Sequence, residues 1–308
     1  MQNPNIYDVI VIGGGPAGYT GAMYTARAGF TTLVIEGNSV GGQMTQTQQI
    51  DNYPGFPNGV DGITLGMAMQ AGAERFGVET VYGQVTKVSL VDKIKTVDTD
   101  EGAYRGKTVL IATGADHKHL GLEKEKELTG KGVSYCATCD GMFFRDKTVV
   151  VVGGGNSAVA DALVLSRIAK EVILVHRRDT LRATKIYHDA IQKATNISYC
   201  WNSRVKMLQS ENTLTGITVE DVHTGEETQI PCQGLFVAIG RQPATALFAS
   251  QLELDSQGYI VADETTRTNL PGVYAAGDVR TKASRQIVTA AADGATAAYF
   301  IEGYLAEE

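Results

Sequence analysis

Two cysteines stand two residues apart in "GVSYCATCDGMFF" (132–144): Cys136 and Cys139, with Asp140 beside them. A C-x-x-C can hold half a zinc site, form a small staple, or exchange electrons with another dithiol, and its surroundings decide. Zinc takes four ligands, whereas Cys200 and Cys232 stand alone, and His117, His119, His176, His188 and His223 keep no ligand spacing with the pair. Cys200 and Cys232 fall in strand patterns, where a free cysteine behaves as a small hydrophobe, so both are expected in the core. Asp140 could protonate a leaving thiolate, or only cap a turn.

A second chemistry lies in the glycines. "IYDVIVIGGGPAG" (6–18) runs from β-branched residues into Gly13, Gly15 and Gly18, the G-x-G-x-x-G spacing, and "GYTGAMYTARAG" follows with helix-compatible residues. Such a turn lets backbone approach a pyrophosphate closely, with a helix N-terminus facing the anion. The next strand pattern, "TTLVIE", ends at Glu36, 23 residues after Gly13, where a carboxylate can accept from ribose hydroxyls. The layout recurs in "DKTVVVVGGGNSAVADALVLSRI", with Gly153, Gly155 and Ala158. There the ribose position is His176, again 23 residues on, and Arg177, Arg178 and Arg182 form a basic cluster suited to a 2′-phosphate. The second site is therefore expected to prefer NADP(H) to NAD(H), and the first, with its glutamate, fits FAD or NAD.

The elements that must position these groups also repeat. After each strand–turn–helix unit come alternating segments of antiparallel type and a buried strand ending in glycine, "VLIATGA" and "LFVAIGR". Only the end of the chain supplies "VYAAGDV", a loop and an alanine-rich helix from about residue 286. The fold class is α/β: two Rossmann-like dinucleotide-binding domains, three-layered with antiparallel β-meanders, the second inserted into the first. The boundaries read 1–116 and 245–308 for the first domain and 117–244 for the inserted one.

With 308 residues, 43% hydrophobic and 20% charged, the chain can bury two cores. A net charge of -7 argues against a nucleic-acid surface. No apolar run reaches the ~18 residues of a membrane helix, and "MQNPNIYDVIVIGGG" lacks a signal-peptide layout, so no membrane partner and a cytoplasmic location are expected. Four cysteines build no disulfide scaffold, and in a reducing compartment a C-x-x-C is more often catalytic or metal-binding than structural.

In family order, "GGGPAG", "GGQ", "ATGA", "CATCDG", "GGGNSA", "HRRD", "AIGR" and "GDVRTKASRQIVTAAADGA" resemble the low-molecular-weight bacterial thioredoxin reductases over essentially the whole chain. "SAVADA" departs from the acidic pattern expected there, at what reads as a helix surface. The resemblance implies an NADPH-dependent flavoenzyme passing electrons through FAD and a Cys136–Cys139 disulfide to thioredoxin, with no metal. It implies FAD at Gly13, Gly15, Ala17, Glu36, Gly42, Gln43, Asn52, Asp278, Arg285, Gln286 and Ile287, with Pro16, Gly37, Ala112, Gly114 and Gly277 in the same nucleotide-binding set. NADPH falls to Gly155, Asn156, Ser157, His176, Arg177, Arg178, Arg182 and Arg241. Cys139 would be the flavin-proximal sulfur, Asp140 the acid, and the assembly a homodimer. Other dithiol flavoenzymes, such as the reductase of a peroxide-reducing system or a dithiol oxidase, and a flavin-bound redox sensor are the competing readings. Because the inserted domain carries both the hydride donor site and the dithiol, it is expected to swivel about the crossings near Gly114–Gly121 and Gly240–Pro243.

Overall fold

The structure, a computed structural model, describes residues 6–37, 40–47 and 49–307. The chain divides into two compact units: one runs to Asp116 and resumes at Gln242, and the other is His117–Arg241.

The first unit is built on a seven-stranded sheet. Its parallel part joins β1 (Ile6–Ile12), β2 (Thr32–Glu36), β3 (Glu79–Tyr82) and β6 (Ala103–Ile111), with β4 (Val85–Ser89) and β5 (Lys95–Thr99) antiparallel beyond β6. The late strand β17 (Val273–Ala275) pairs with Val109–Ile111 of β6, so the chain's end completes the sheet its start began. β1 is apolar on both faces because both are covered. Val9 and Val11 pack with residues of helices α1 (Pro16–Arg27) and α6 (Ile287–Ala306), and Ile10 and Ile12 pack with Val85, Val88 and Val97 of the meander. Helix α6 is alanine-rich because it lies against backbone: a Cβ on Gly294 would sit 2.2 Å from the Ala17 carbonyl oxygen. A further helix, α2 (Gly62–Glu74), starts on Asp61, whose side chain accepts from the Thr64 N–H.

The second unit repeats the plan with a five-stranded sheet in the order β11-β10-β9-β15-β8. These strands are Ile197–Cys200 (β11), Glu171–Val175 (β10), Thr148–Val152 (β9), Gly234–Val237 (β15) and Val133–Ser134 (β8), all parallel to their neighbours. Val149 and Val151 face α4 (Asn156–Ser166), while Val150 and Val152 face the separate meander β12 (Ser203–Ser210), β13 (Leu214–Asp221) and β14 (Glu227–Pro231). The period-2 alternation thus sends alternate valines to opposite cores. The short α3 (Ala137–Asp140) precedes β9, and α5 (Lys185–Gln192) follows β10. The crossings between units, β7 (Ala115–His117) and β16 (Arg241–Pro243), pair as a two-stranded ribbon.

The two lone cysteines differ from expectation in detail. Cys232 follows β14 instead of lying in a strand, is fully buried, and has its thiol pushed up to about 12 by burial. Cys200 ends β11 and is only half-buried against the same core.

Candidate active site

The dithiol sits where a strand runs into a helix. Cys136 precedes α3 in extended conformation (φ -145°), and its carbonyl accepts from the Cys139 and Asp140 N–H groups at 3.2 and 3.1 Å. This closes the turn that brings the cysteines into a disulfide, with Cα atoms 5.3 Å apart. Both cysteines are half-buried, and Cys136 Sγ lies 3.4 Å from Thr138 Oγ1. Ser134, on β8, joins the dithiol to its acid. Its hydroxyl donates to Asp140 Oδ2 at 2.6 Å and accepts the Cys136 N–H at 3.1 Å. Burial pushes the Asp140 carboxyl above its usual range, with the Ser134 hydrogen bond opposing. Tyr135 is held from its other side: its hydroxyl donates to Glu125 Oε1 at 2.8 Å and lies 2.7 Å from His119 Nδ1.

In the first glycine turn, Gly13 (φ +104°) could carry no side chain, since its Cβ would lie 2.6 Å from the Ala112 carbonyl oxygen. Gly15, the residue before α1, has an ordinary φ of -80° and nothing within 4 Å of where a Cβ would be. Its glycine keeps open space beside the helix N-terminus, with Pro16 as the first helical residue. Gly42 closes the other side, its Cβ position 3.5 Å from Gly15 Cα. Glu36 ends β2 at 4% exposure. Its Oε1 accepts the Gly37 N–H at 2.9 Å, while Oε2 is buried with no hydrogen-bond partner among the described residues. Burial pushes this carboxyl up, against the backbone amides of Gly37, Gly14 and Gly41. An orphaned acceptor beside an open backbone cradle fits an adenosine ribose and pyrophosphate.

The loop 277–287 completes this group. Gly277 (φ +79°) packs on Ala17, where a Cβ would lie 3.0 Å from the Ala17 Cβ, and Asp278 follows in a short turn. Arg285 stacks over Tyr259 at 4.0 Å from the ring centroid, and its buried Nε has no partner among the described residues. Gln286 caps α6 through Thr289, and its Oε1 accepts from Asn52 Nδ2 at 3.1 Å. Ile287 packs with Met44 and Leu65. Gln43 turns instead to Asp116, donating to Oδ1 at 2.5 Å, and Gly114 (φ +72°) accepts the Ala244 N–H.

The second turn matches the first closely. A Cβ on Gly153 would meet the Ala238 carbonyl oxygen at 2.4 Å, whereas Gly155 (φ -92°) again faces open space before α4. His176 takes the place of Glu36, 4% exposed, with a buried Nε2 that has no partner among the described residues. Burial first, then Arg182, Arg178 and Arg177, lower its pKa, so the imidazole stays neutral amid a positive field. The three guanidiniums are exposed and form no ion pair among the described residues. Asn156 Oδ1 accepts the Thr184 N–H at 2.8 Å, and Gly154 O accepts the Arg182 N–H at 2.7 Å, which fixes the arginine loop over the glycine turn. Ser157 is exposed on the first turn of α4. Arg241 lies in the field of Asp161 and His117. Asp161, in the "SAVADA" stretch read as helix surface, is half-buried, and burial pushes its carboxyl to about 7. That position is therefore a shielded one.

Several contributors carry signals that spacing alone does not isolate. The middle glycines are needed as much as their neighbours: a Cβ on Gly14 would lie 1.9 Å from Glu36 Oε2, and on Gly154 2.3 Å from the His176 ring. Their only trace in the sequence is that each glycine run is an unbroken "GGG". Asp293 of α6 is 8% exposed and binds the Gly277 N–H, Arg280 and Lys282 at 2.8–2.9 Å, anchoring the loop that carries Asp278 and Arg285. Ser134 and Glu125 likewise look like ordinary polar residues in sequence.

Two dinucleotide cradles and a redox-capable disulfide on one α/β scaffold define a nucleotide-dependent disulfide oxidoreductase. The chain belongs to the pyridine nucleotide-disulphide oxidoreductase family, whose model matches residues 7–294. It is 49% identical to a thioredoxin reductase of Streptomyces clavuligerus, covering 98% of this chain and 95% of the other. It is 43% identical to that of Bacillus subtilis, over 100% and 97%. The crystal structure of the thioredoxin reductase from Streptococcus pyogenes matches with a TM-score of 0.92 at 43% identity, over 98% and 99%. The cofactors of this chain, a flavoprotein, are FAD and NADPH. No helix among the described residues is long and apolar enough to cross a membrane.

Proposed function

We propose that the protein is an NADPH–thioredoxin disulfide reductase, in which Cys136 and Cys139 pass electrons to thioredoxin and Asp140 manages the accompanying protons. The observation that carries this is the disulfide tied, through the Ser134 hydroxyl at the end of β8, to the half-buried Asp140 carboxyl, in the unit that also holds the arginine loop. The relatives' name supplies the partner. When bound, FAD supplies the two-electron link between the hydride of NADPH and the disulfide.

The chain's own residues do the rest. Glu36 and the turn Gly13–Gly15 would hold the adenosine and pyrophosphate of FAD, with Gly42, Asp278 and Arg285 contributing to the same site. Gly155, His176, Arg177, Arg178 and Arg182 would hold NADPH, the arginines taking its 2′-phosphate. In the dithiol state, one cysteine gives its proton to Asp140 and its thiolate attacks the partner disulfide, forming a mixed disulfide and expelling a partner thiolate. The Asp140 carboxyl protonates that thiolate. The second cysteine then yields its proton to Asp140, attacks the mixed disulfide, and reforms Cys136–Cys139. The released partner thiolate takes the proton back from Asp140. Two electrons and two protons leave with the partner dithiol.

The hydride donor site and the dithiol share the unit His117–Arg241, so we infer that this unit turns to present each in succession. Glycines with positive φ near both crossings, Gly114, Gly121 and Gly240, support that reading. The family supports a cytoplasmic homodimer.

The test is to purify the holoprotein, record its flavin spectrum, and follow NADPH and NADH oxidation with thioredoxin. Thioredoxin-dependent oxidation of NADPH, lost in Cys136→Ser and Cys139→Ser, is expected. A colourless protein, or NADPH oxidation indifferent to thioredoxin, would refute the assignment.

A further inference from the structure

We infer that Ser134 is a positioning residue for the proton chemistry of the dithiol: its hydroxyl ties the Asp140 carboxylate and the Cys136 backbone into one hydrogen-bonded unit anchored on the sheet. This rests on reading Cys136–Cys139 as a redox pair and Asp140 as its acid.

Ser134 is 3% exposed and sits opposite Phe236 in the parallel pairing of β8 with β15. Ser134 is buried at the end of the edge strand β8 and held by its pairing with β15, whereas Asp140 ends the single turn of α3, so the strand positions the acid. The 2.6 Å Ser134 to Asp140 bond has the length of a charge-assisted O–H···O⁻ contact. With its one proton committed there, Ser134 uses a lone pair for the Cys136 N–H. Its Oγ also lies 3.5 Å from the Cys136 carbonyl, a longer and weaker contact.

No other hydrogen bond reaches the Asp140 side chain among the described residues. The neighbouring charged and titratable groups look elsewhere. On α4, which packs against α3, Asp161 lies near Arg241, and Arg167 at the helix end forms no ion pair among the described residues. Arg145, after the turn that follows α3, rests on Met142 Sδ at 3.8 Å. Tyr135 is engaged by Glu125 and His119. The environment of Asp140 is therefore burial, which favours the protonated form, against one hydroxyl, which favours the carboxylate. A group that must both release and retake a proton in one cycle needs both forms within reach near its working pH, and Ser134 supplies the balance.

The experiment compares wild type, Ser134→Ala, Asp140→Asn and the double variant as flavin-loaded protein. Emission from Trp201, the sole tryptophan, and the flavin spectrum report folding. Thioredoxin turnover is measured from acid to alkaline pH. Ser134→Ala is expected to lose about tenfold in kcat near neutrality and to move the acid limb of the profile alkaline by about one to two pH units. In Asp140→Asn, which has no carboxyl to orient, the same change should cost less than about twofold. A second arm follows reduction of the Cys136–Cys139 disulfide by dithiothreitol, which needs neither NADPH nor thioredoxin. The pH shift seen there, with a wild type unable to reduce thioredoxin, would sink the functional reading and leave the role of Ser134 standing. An unshifted limb in Ser134→Ala, or equal losses with and without the Asp140 carboxyl, would overturn that role.

Discussion

Asp293→Asn removes a carboxylate shared by two buried cations. Arg280 is 3% exposed, the Lys282 side chain 7%, and both bond to Asp293 at 2.8–2.9 Å. Leaving buried charge uncompensated costs about 3–5 kcal/mol. For a unit of this size each kcal/mol lowers the melting temperature by about 2–4 °C, so the first unit should melt about 6–20 °C earlier. The pH dependence has a definite sign. Burial alone would raise the Asp293 carboxyl, but the hydrogen bonds from Arg280 and Lys282 outweigh it and hold the carboxyl below its ordinary value. Its stabilisation is thus fully present above the unfolded carboxylate value of about 3.9 and disappears only as pH falls through the lower folded one. Thermal unfolding by circular dichroism, with flavin release followed in parallel, should show a gap that is constant through neutral pH and closes in strong acid. Flavin should leave the variant at lower temperature, because Asp293 also fixes the Gly277 amide. A melting temperature within about 2 °C of wild type, or a gap that widens on acidification, would refute the reasoning.

Gly15→Ala and Gly155→Ala should fold, since each has an ordinary φ and no atom within 4 Å of the new methyl, at a cost of about 1 kcal/mol or less. Gly15→Ala is expected to purify with little flavin; Gly155→Ala should raise KM for NADPH by about tenfold or more with a smaller effect on kcat. Normal flavin content and normal KM would place the pyrophosphates elsewhere. Arg177→Ala with Arg178→Ala should reduce kcat/KM for NADPH by about 100-fold and for NADH by under about threefold, and equal losses would contradict the 2′-phosphate assignment. Gly153→Ala, by contrast, meets a carbonyl oxygen at 2.4 Å and should fail to yield folded protein; soluble, cooperatively melting material would speak against the turn as described.

Much of this molecule was readable from local pattern. Gly13, Gly15, Gly153 and Gly155 were visible because a pyrophosphate turn constrains a few adjacent residues, and the 23-residue step to Glu36 and His176 because strand and helix lengths are regular. The second helix surface misled: Asp161 follows the helix pattern, but what lies over it is set by packing.

By itself the sequence determined the duplicated strand–turn–helix plan, the nucleotide cradles, the basic cluster and the dithiol, all chemistry held within short stretches of chain. Tertiary structure alone decided which polar groups serve them. Ser134 and Asp140 are six residues apart, and Asp293 lies sixteen from Gly277. Glu36 is left with an unanswered oxygen only because Gly14 admits its carboxylate to the turn. Such assignments depend on where strands end and which faces are buried, so burial and direction, absent from residue identity, select the partners.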